Sequence, residues 1–116
     1  MGHPVGFSLE HMVRQYERLC VLQRTHIRVG DTVYVKTINS VYQIRVEEDR
    51  MFTVSGGWFD RRANSPVQTT IVGCTWGGSV INVGVVAAVG LSLEFGNRVV
   101  TSAIKSFVVI PKEKNN

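Results

Sequence analysis

The sequence predicts an α+β protein, with an N-terminal amphipathic helix followed by a curled antiparallel sheet or small β-barrel of about six to eight short strands. Three observations predict it. Apolar residues recur at helical spacing over residues 8–23, apolar and polar residues alternate over 32–46, and residues 63–93 contain no Asp, Glu, Lys, Arg or His. Charged side chains are rarely buried unless paired, so an uncharged run of this length in a chain that is 19% charged marks segments held in a core, an interface or a cavity.

The helix is expected over about 8–23. Ser8 caps it, and Leu9, Met12, Val13, Tyr16, Leu19 and Cys20 form one stripe. Glu10 suits the positive end of the helix dipole and stands four residues before Arg14. A sheet from about 27 to 110 follows. Residues 27–35 read as a short strand, a Gly30-Asp31 turn and a second strand. A two-residue turn at Asn39-Ser40 would pair Val35 with Ile44 and Val33 with Val46. It gathers Val33, Val35, Tyr42, Ile44 and Val46 on one face, with Tyr34, Lys36, Gln43 and Arg45 on the other. Glu47 to Arg50 makes a charged turn before a third strand at 51–54.

Residues 55–66 are the longest irregular connection expected. Beyond it, 67–74 reads as one strand rich in β-branched residues, and 76–79 as a turn. Strands follow at 80–83 and 85–95, with Gly84 as a bend. In the latter, Val85, Ala87, Val89, Leu91, Leu93 and Phe95 would share a face opposite the smaller Val86, Ala88, Gly90, Ser92 and Glu94. A turn at Gly96-Asn97 would pair Leu93 with Val100, and a last strand spans about 103–110 before a frayed tail at 111–116.

The pattern of residues 27–35, apolar-x-apolar-Gly-Asp-x-apolar-x-apolar, resembles the opening of many SH3-like small barrels. It covers nine positions of the chain and implies a barrel fold alone, with no functional residue carried over.

With 116 residues, 44% of them hydrophobic, one domain over 1–116 is expected. The longest apolar run, 83–91, contains Gly84 and Gly90 and falls well short of the roughly 20 residues a spanning helix needs. Neither a signal peptide nor a myristoylation pattern is read at the start of the chain, so no membrane association and a cytoplasmic location are expected. The net charge of +4 permits an anionic partner, although the 13 basic residues form no concentrated run. Cys20 and Cys74 are far apart and are expected as free thiols.

Candidate chemistry is sparse. His3, His11 and His26 lack the partners of a metal site, so neither metal nor cofactor is expected. A nucleophilic Cys74 would need His26 or His11 with Asp31 or Asp60 brought to it, yet its apolar surroundings disfavour the thiolate. Glu47, Glu48 and Asp49 read as a solvated turn, and Gly56-Gly57 and Gly77-Gly78 as turns needing positive φ, since neither pair leads into a phosphate-loop motif. No catalytic residue is assigned. The group that stands out is Trp58, Phe59, Arg61 and Arg62, which could stack on bases and pair with phosphates, contact a protein, or fold back on the barrel with the aromatics buried. Tyr34, Lys36, Arg45 and Arg28 are candidates to extend that surface.

The function expected is therefore a small, non-enzymatic binding or self-associating module, a homodimer by preference or a protein-binding unit. The excess of neutral surface over 67–93 motivates self-association. The alternatives are a single-stranded nucleic-acid-binding module using residues 58–62, and small-molecule binding or catalysis inside the curled sheet. In the last, Ala88, Gly90 and Ser92 would line a cavity with Tyr42 or Cys74 as polar contacts.

Overall fold

The structure, a computed structural model, describes residues 21–62, 65–76 and 80–112. In chain order its elements are β1 (Val21–Gln23), a 3-10 turn (Arg24–His26), β2 (Thr32–Thr37), β3 (Val41–Val46), β4 (Phe52–Gly56) and α1 (Gly57–Arg62). Then come β5 (Val67–Thr69), β6 (Ile71–Trp76), β7 (Val80–Asn82), β8 (Val85–Ala88), β9 (Ser92–Phe95) and β10 (Ile104–Ile110). The strands form a curled, antiparallel arrangement of three ladders: β10-β2-β3-β4-β5, β7-β6-β9 and β1-β8.

The alternation over residues 32–46 becomes the centre of the large sheet. Val33, Val35, Tyr42, Ile44 and Val46 are buried on its inner face, and Tyr34, Lys36, Gln43 and Arg45 are exposed on its outer face. The register differs from the expected one. Val33 pairs with Ile44 and Val35 with Tyr42, a shift of two residues, because the chain turns at Ile38-Asn39 instead of Asn39-Ser40. Thr37 decides this: its N–H donates to the Ser40 carbonyl at 2.7 Å and its hydroxyl accepts the Ser40 N–H at 3.1 Å. A shift of two preserves every inward and outward assignment, so the faces survive the corrected turn.

Three further expectations are corrected. Of the helix at 8–23, residues 8–20 lie outside the described residues, and the last three form β1, which pairs Leu22 with Ala87 and buries it fully. The single strand at 67–74 is two strands in different sheets, divided at Thr70, whose carbonyl accepts the Gly96 N–H at 2.8 Å. The strand at 85–95 is likewise two. Gly90 adopts φ +94, the Leu91 N–H returns to the Ala88 carbonyl at 3.1 Å, and Val89 is turned outward rather than sharing a face with Val85. With these divisions the described residues contain ten strand segments, several of only three or four residues.

The turn after β9 is also one residue longer than Gly96-Asn97. Glu94 bridges Val100, the Phe95 N–H meets the Val99 carbonyl at 2.9 Å, and Arg98 takes the left-handed position at φ +74. Gly77-Gly78 lies outside the described residues, between the paired Trp76 and Val80.

One hydrophobic cluster joins all three ladders, including Leu22, Val33, Ile44, Val54, Phe59, Val86, Leu93, Phe95, Ile104 and Phe107. All four residues of β8 are buried, so Val86 and Ala88 of the expected small face pack within the chain, whereas Gly90 is exposed and Ser92 half-buried. Each large aliphatic or aromatic side chain buried this way contributes roughly 1.5–3 kcal/mol.

Candidate functional site

The segment 56–62 is built by two glycines. Gly56 at φ +97 and Gly57 at φ +47 turn the chain out of β4, and a Cβ on Gly57 would stand 2.5 Å from the Tyr42 ring. Both therefore serve the backbone turn expected of them. Their turn starts α1, which Asp60 ties back by accepting the Gly56 N–H at 2.9 Å. That N–H, the Ser65 side chain and the neighbouring Arg61 charge hold the Asp60 carboxyl below the usual carboxylate range. Phe59 then enters the core and Trp58 stays at its rim, 37% exposed, while Arg61 and Arg62 face solvent.

The four expected residues thus divide. Phe59 is fully buried, with ring centroids 5.1 Å from Phe95, 6.1 Å from Tyr42 and 5.5 Å from Trp58, and is corrected from a contact residue to an anchor. Trp58 is held edge-to-face on Phe59, and its backbone N–H donates to the Tyr42 hydroxyl at 3.3 Å. Because α1 docks through Phe59 on the inner-facing Tyr42, it belongs to the opposite side of the sheet from Tyr34, Lys36 and Arg45. These three share the outer face, where Glu47 lies 3.9 Å from Arg45 and accepts the Thr53 hydroxyl at 2.8 Å. Arg28 is exposed, and its backbone N–H donates to Asp31 at 2.9 Å.

Among the described residues, the groups weighed for catalysis make separate contacts. His26 Nδ1 accepts the Gln23 N–H at 3.2 Å, and the Asp31 carboxylate accepts the N–H groups of Arg28 and Lys112 at 2.9 and 3.0 Å. Cys74 is a free, buried thiol that burial pushes up to about 11, which suppresses the nucleophilic thiolate near neutral pH. His3 and His11 lie outside the described residues, among which no group of three metal-ligating side chains occurs. Of the residues expected to line an interior cavity, Tyr42, Cys74 and Ala88 are core residues, Ser92 is half-buried and Gly90 belongs to the exposed turn after β8.

A different concavity emerges outside the core. A cleft of about 510 Å³ is lined by Arg24, Arg50, Thr70, Ile71, Val72, Val83 and Gly84. The 3-10 turn after β1 brings Arg24 to it, and backbone carbonyls fix the guanidinium. Nε donates to Val83 at 2.6 Å, and Nη2 donates to Val72 at 3.3 Å and to Ile71. Arg50 comes from the turn after β3, where it holds the left-handed conformation at φ +62. Both guanidinium-bearing residues line the cleft, and partial burial followed by the Arg50 charge lowers the Arg24 pKa. Among the described residues no carboxylate lines the cleft. Residue spacing could not have found this pair, because its lining comes from four separated segments that only the sheet topology assembles.

Comparison of the chain with protein-family models, with curated proteins and with solved structures found no match. No helix among the described residues is long and apolar enough to cross a membrane.

Proposed function

We propose that the protein is a non-enzymatic binding module that contacts a macromolecular partner through α1, with a second copy of the chain as the first partner to test. The observation that carries this reading is the mounting of Trp58. Its ring is part exposed yet braced at 84° against the buried Phe59, and Arg61 and Arg62 follow it on the same short helix. A braced aromatic loses little entropy on binding, and Trp and Arg are the side chains most enriched at energetic centres of interfaces. Of the SH3-like pattern at 27–35, only the second strand forms, as the start of β2 after the turn at Gly30, and residues 27–29 are not a strand.

Because β8 is buried within the chain, the self-association reading rests here on α1. The contact is therefore assigned to α1 alone. Light scattering coupled to size-exclusion chromatography tests it. A dimer at tens of micromolar that Trp58→Ala or Arg61→Ala/Arg62→Ala converts to monomer, with thermal unfolding unchanged, is the expected result. A strict monomer would remove the second copy as partner.

A second reading, single-stranded nucleic acid on the same surface, is favoured by the exposed arginine pair beside the part-exposed Trp58. It predicts oligonucleotide binding that weakens steeply with salt and is lost in Trp58→Ala. Absence of binding at low salt ends it.

A further inference from the structure

The Arg24 cleft is assembled from three carbonyls, two guanidiniums and an apolar wall, on a part of the fold distinct from α1. A guanidinium has five N–H donors in a rigid fork. On Arg24, Nε and Nη2 are engaged by the carbonyls of Val83, Ile71 and Val72, and no acceptor among the described residues meets Nη1. The carbonyls fix the plane of the fork in advance, so an incoming oxyanion need not order it. Thr70 adds a hydroxyl-bearing side chain at the lining, and Ile71, Val72 and Val83 supply apolar surface.

Arg50 follows Asp49 in the tight turn between β3 and β4, where both take left-handed φ and the Met51 N–H donates to the Glu48 carbonyl at 3.1 Å. That turn carries a second guanidinium to the cleft, where no lining residue among those described is acidic. Among the described lining residues the two guanidiniums have no carboxylate, a local charge of about +2 that a phosphate monoester, at about −1.5 to −2 near pH 7, would neutralise. The cleft volume of about 510 Å³ falls in the ordinary range for a small-molecule site.

We propose that the cleft lined by Arg24 and Arg50 is a binding site for a small molecule that carries a terminal phosphomonoester on an apolar body. The phosphate lies between Arg50 and the Nη1 side of Arg24. The body lies along Val72 and Val83. The site does not depend on the α1 contact, and Trp58→Ala leaves it intact.

Phenyl phosphate is a suitable probe, titrated into the full chain at low ionic strength while backbone amide resonances are followed by NMR. Saturable shifts centred on Thr70, Val72 and Gly84 are expected. Arg50→Gln should weaken binding by about tenfold without lowering the thermal unfolding midpoint, since Arg50 is an exposed turn residue. Binding should also weaken as pH falls below about 6, where the monoester loses its second charge. Arg24→Lys, which loses the fork, should weaken binding further. Should that variant fail to fold, Arg50→Gln and the pH series carry the test. The proposal is overturned by absence of saturation, by shifts that centre elsewhere, or by an unchanged affinity in Arg50→Gln. Benzoate binding as tightly as phenyl phosphate overturns the monoester assignment, as does equal competition by a phosphodiester oligonucleotide lacking terminal phosphates.

Discussion

Tyr42 and Phe59 meet edge to face, with ring centroids 6.1 Å apart and planes at 84°. Tyr42 is an inward residue of β3, and Phe59 is the buried residue of α1, so this contact joins the sheet to the helix that follows it. The Tyr42 hydroxyl strengthens the joint by accepting the Trp58 N–H. Phe59 also stacks on Phe95 of β9, which belongs to a different ladder. One ring thereby bridges two sheets and α1.

Removing that ring should be among the costliest single changes. Phe59→Ala is expected to destabilise by about 3–5 kcal/mol through lost transfer energy and an unfilled cavity. Tyr42→Phe, which keeps the ring and removes one hydrogen bond, should cost about 1 kcal/mol. Urea unfolding of both variants checks the order. If Phe59→Ala costs no more than Tyr42→Phe, Phe59 is not the anchor of α1.

Gly57→Ala should be more harmful than its size suggests. Its φ of +47 already disfavours a side chain, and the new Cβ would meet the Tyr42 ring at 2.5 Å. A loss exceeding about 1 kcal/mol is expected. Thermal unfolding measures it, and an unaltered midpoint would mean that α1 is not seated on Tyr42 in this way.

Asp60 makes α1 sensitive to acid. Its folded-state pKa is depressed chiefly by the Gly56 N–H, so its contribution is present above the unfolded carboxylate pKa of about 3.9 and is lost as pH falls through the folded value. Asp60→Asn should therefore lower the unfolding midpoint at pH 7 and make little difference at pH 2. Equal losses at both pH values would count against the ionised carboxylate as the stabilising form.

Cys74 has the opposite sign. Its folded-state pKa is raised to about 11 by burial, so the stability from keeping it protonated is present below the unfolded thiol pKa of about 8.5 and is lost as pH rises through the folded value. The folded protein should become less stable between those limits, and Cys74→Ala should flatten that part of the pH profile. At pH 8, alkylation mapped to Cys74 by mass spectrometry should require unfolding. Rapid modification of the folded chain would contradict its burial.

How much of this fold can be read along the chain depends on whether a contact is local. In β2 and β3 the two-residue alternation alone separates Val33, Val35, Tyr42, Ile44 and Val46 from Tyr34, Lys36, Gln43 and Arg45. Even a misplaced turn leaves the faces correct, because the register moved by two. The aromatic loop at 58–62 is also legible as a distinctive group, but burial separates Phe59 from Arg61 and Arg62, and the two faces of the sheet separate α1 from Tyr34, Lys36 and Arg45.

The apolar segments 67–74 and 85–95 show the limit. A continuous β-branched run reads as one strand, yet Thr70 and Val89-Gly90 carry the chain from one ladder to another, through bonds to Gly96 and Ile104 that sit far away in sequence. The Arg24 cleft is beyond linear reading for the same reason.

The sequence by itself determined the sheet-rich class, the inward and outward faces of the central hairpin, and the glycine-driven turn before α1, because alternation and positive φ are properties of neighbouring residues. Only the tertiary structure decided that the small residues of β8 pack inside one chain, that Phe59 is an anchor, and that Arg24 and Arg50 line one cleft. Those outcomes depend on which distant backbone carbonyls, rings and charges are brought within a few ångströms, and no local pattern encodes that.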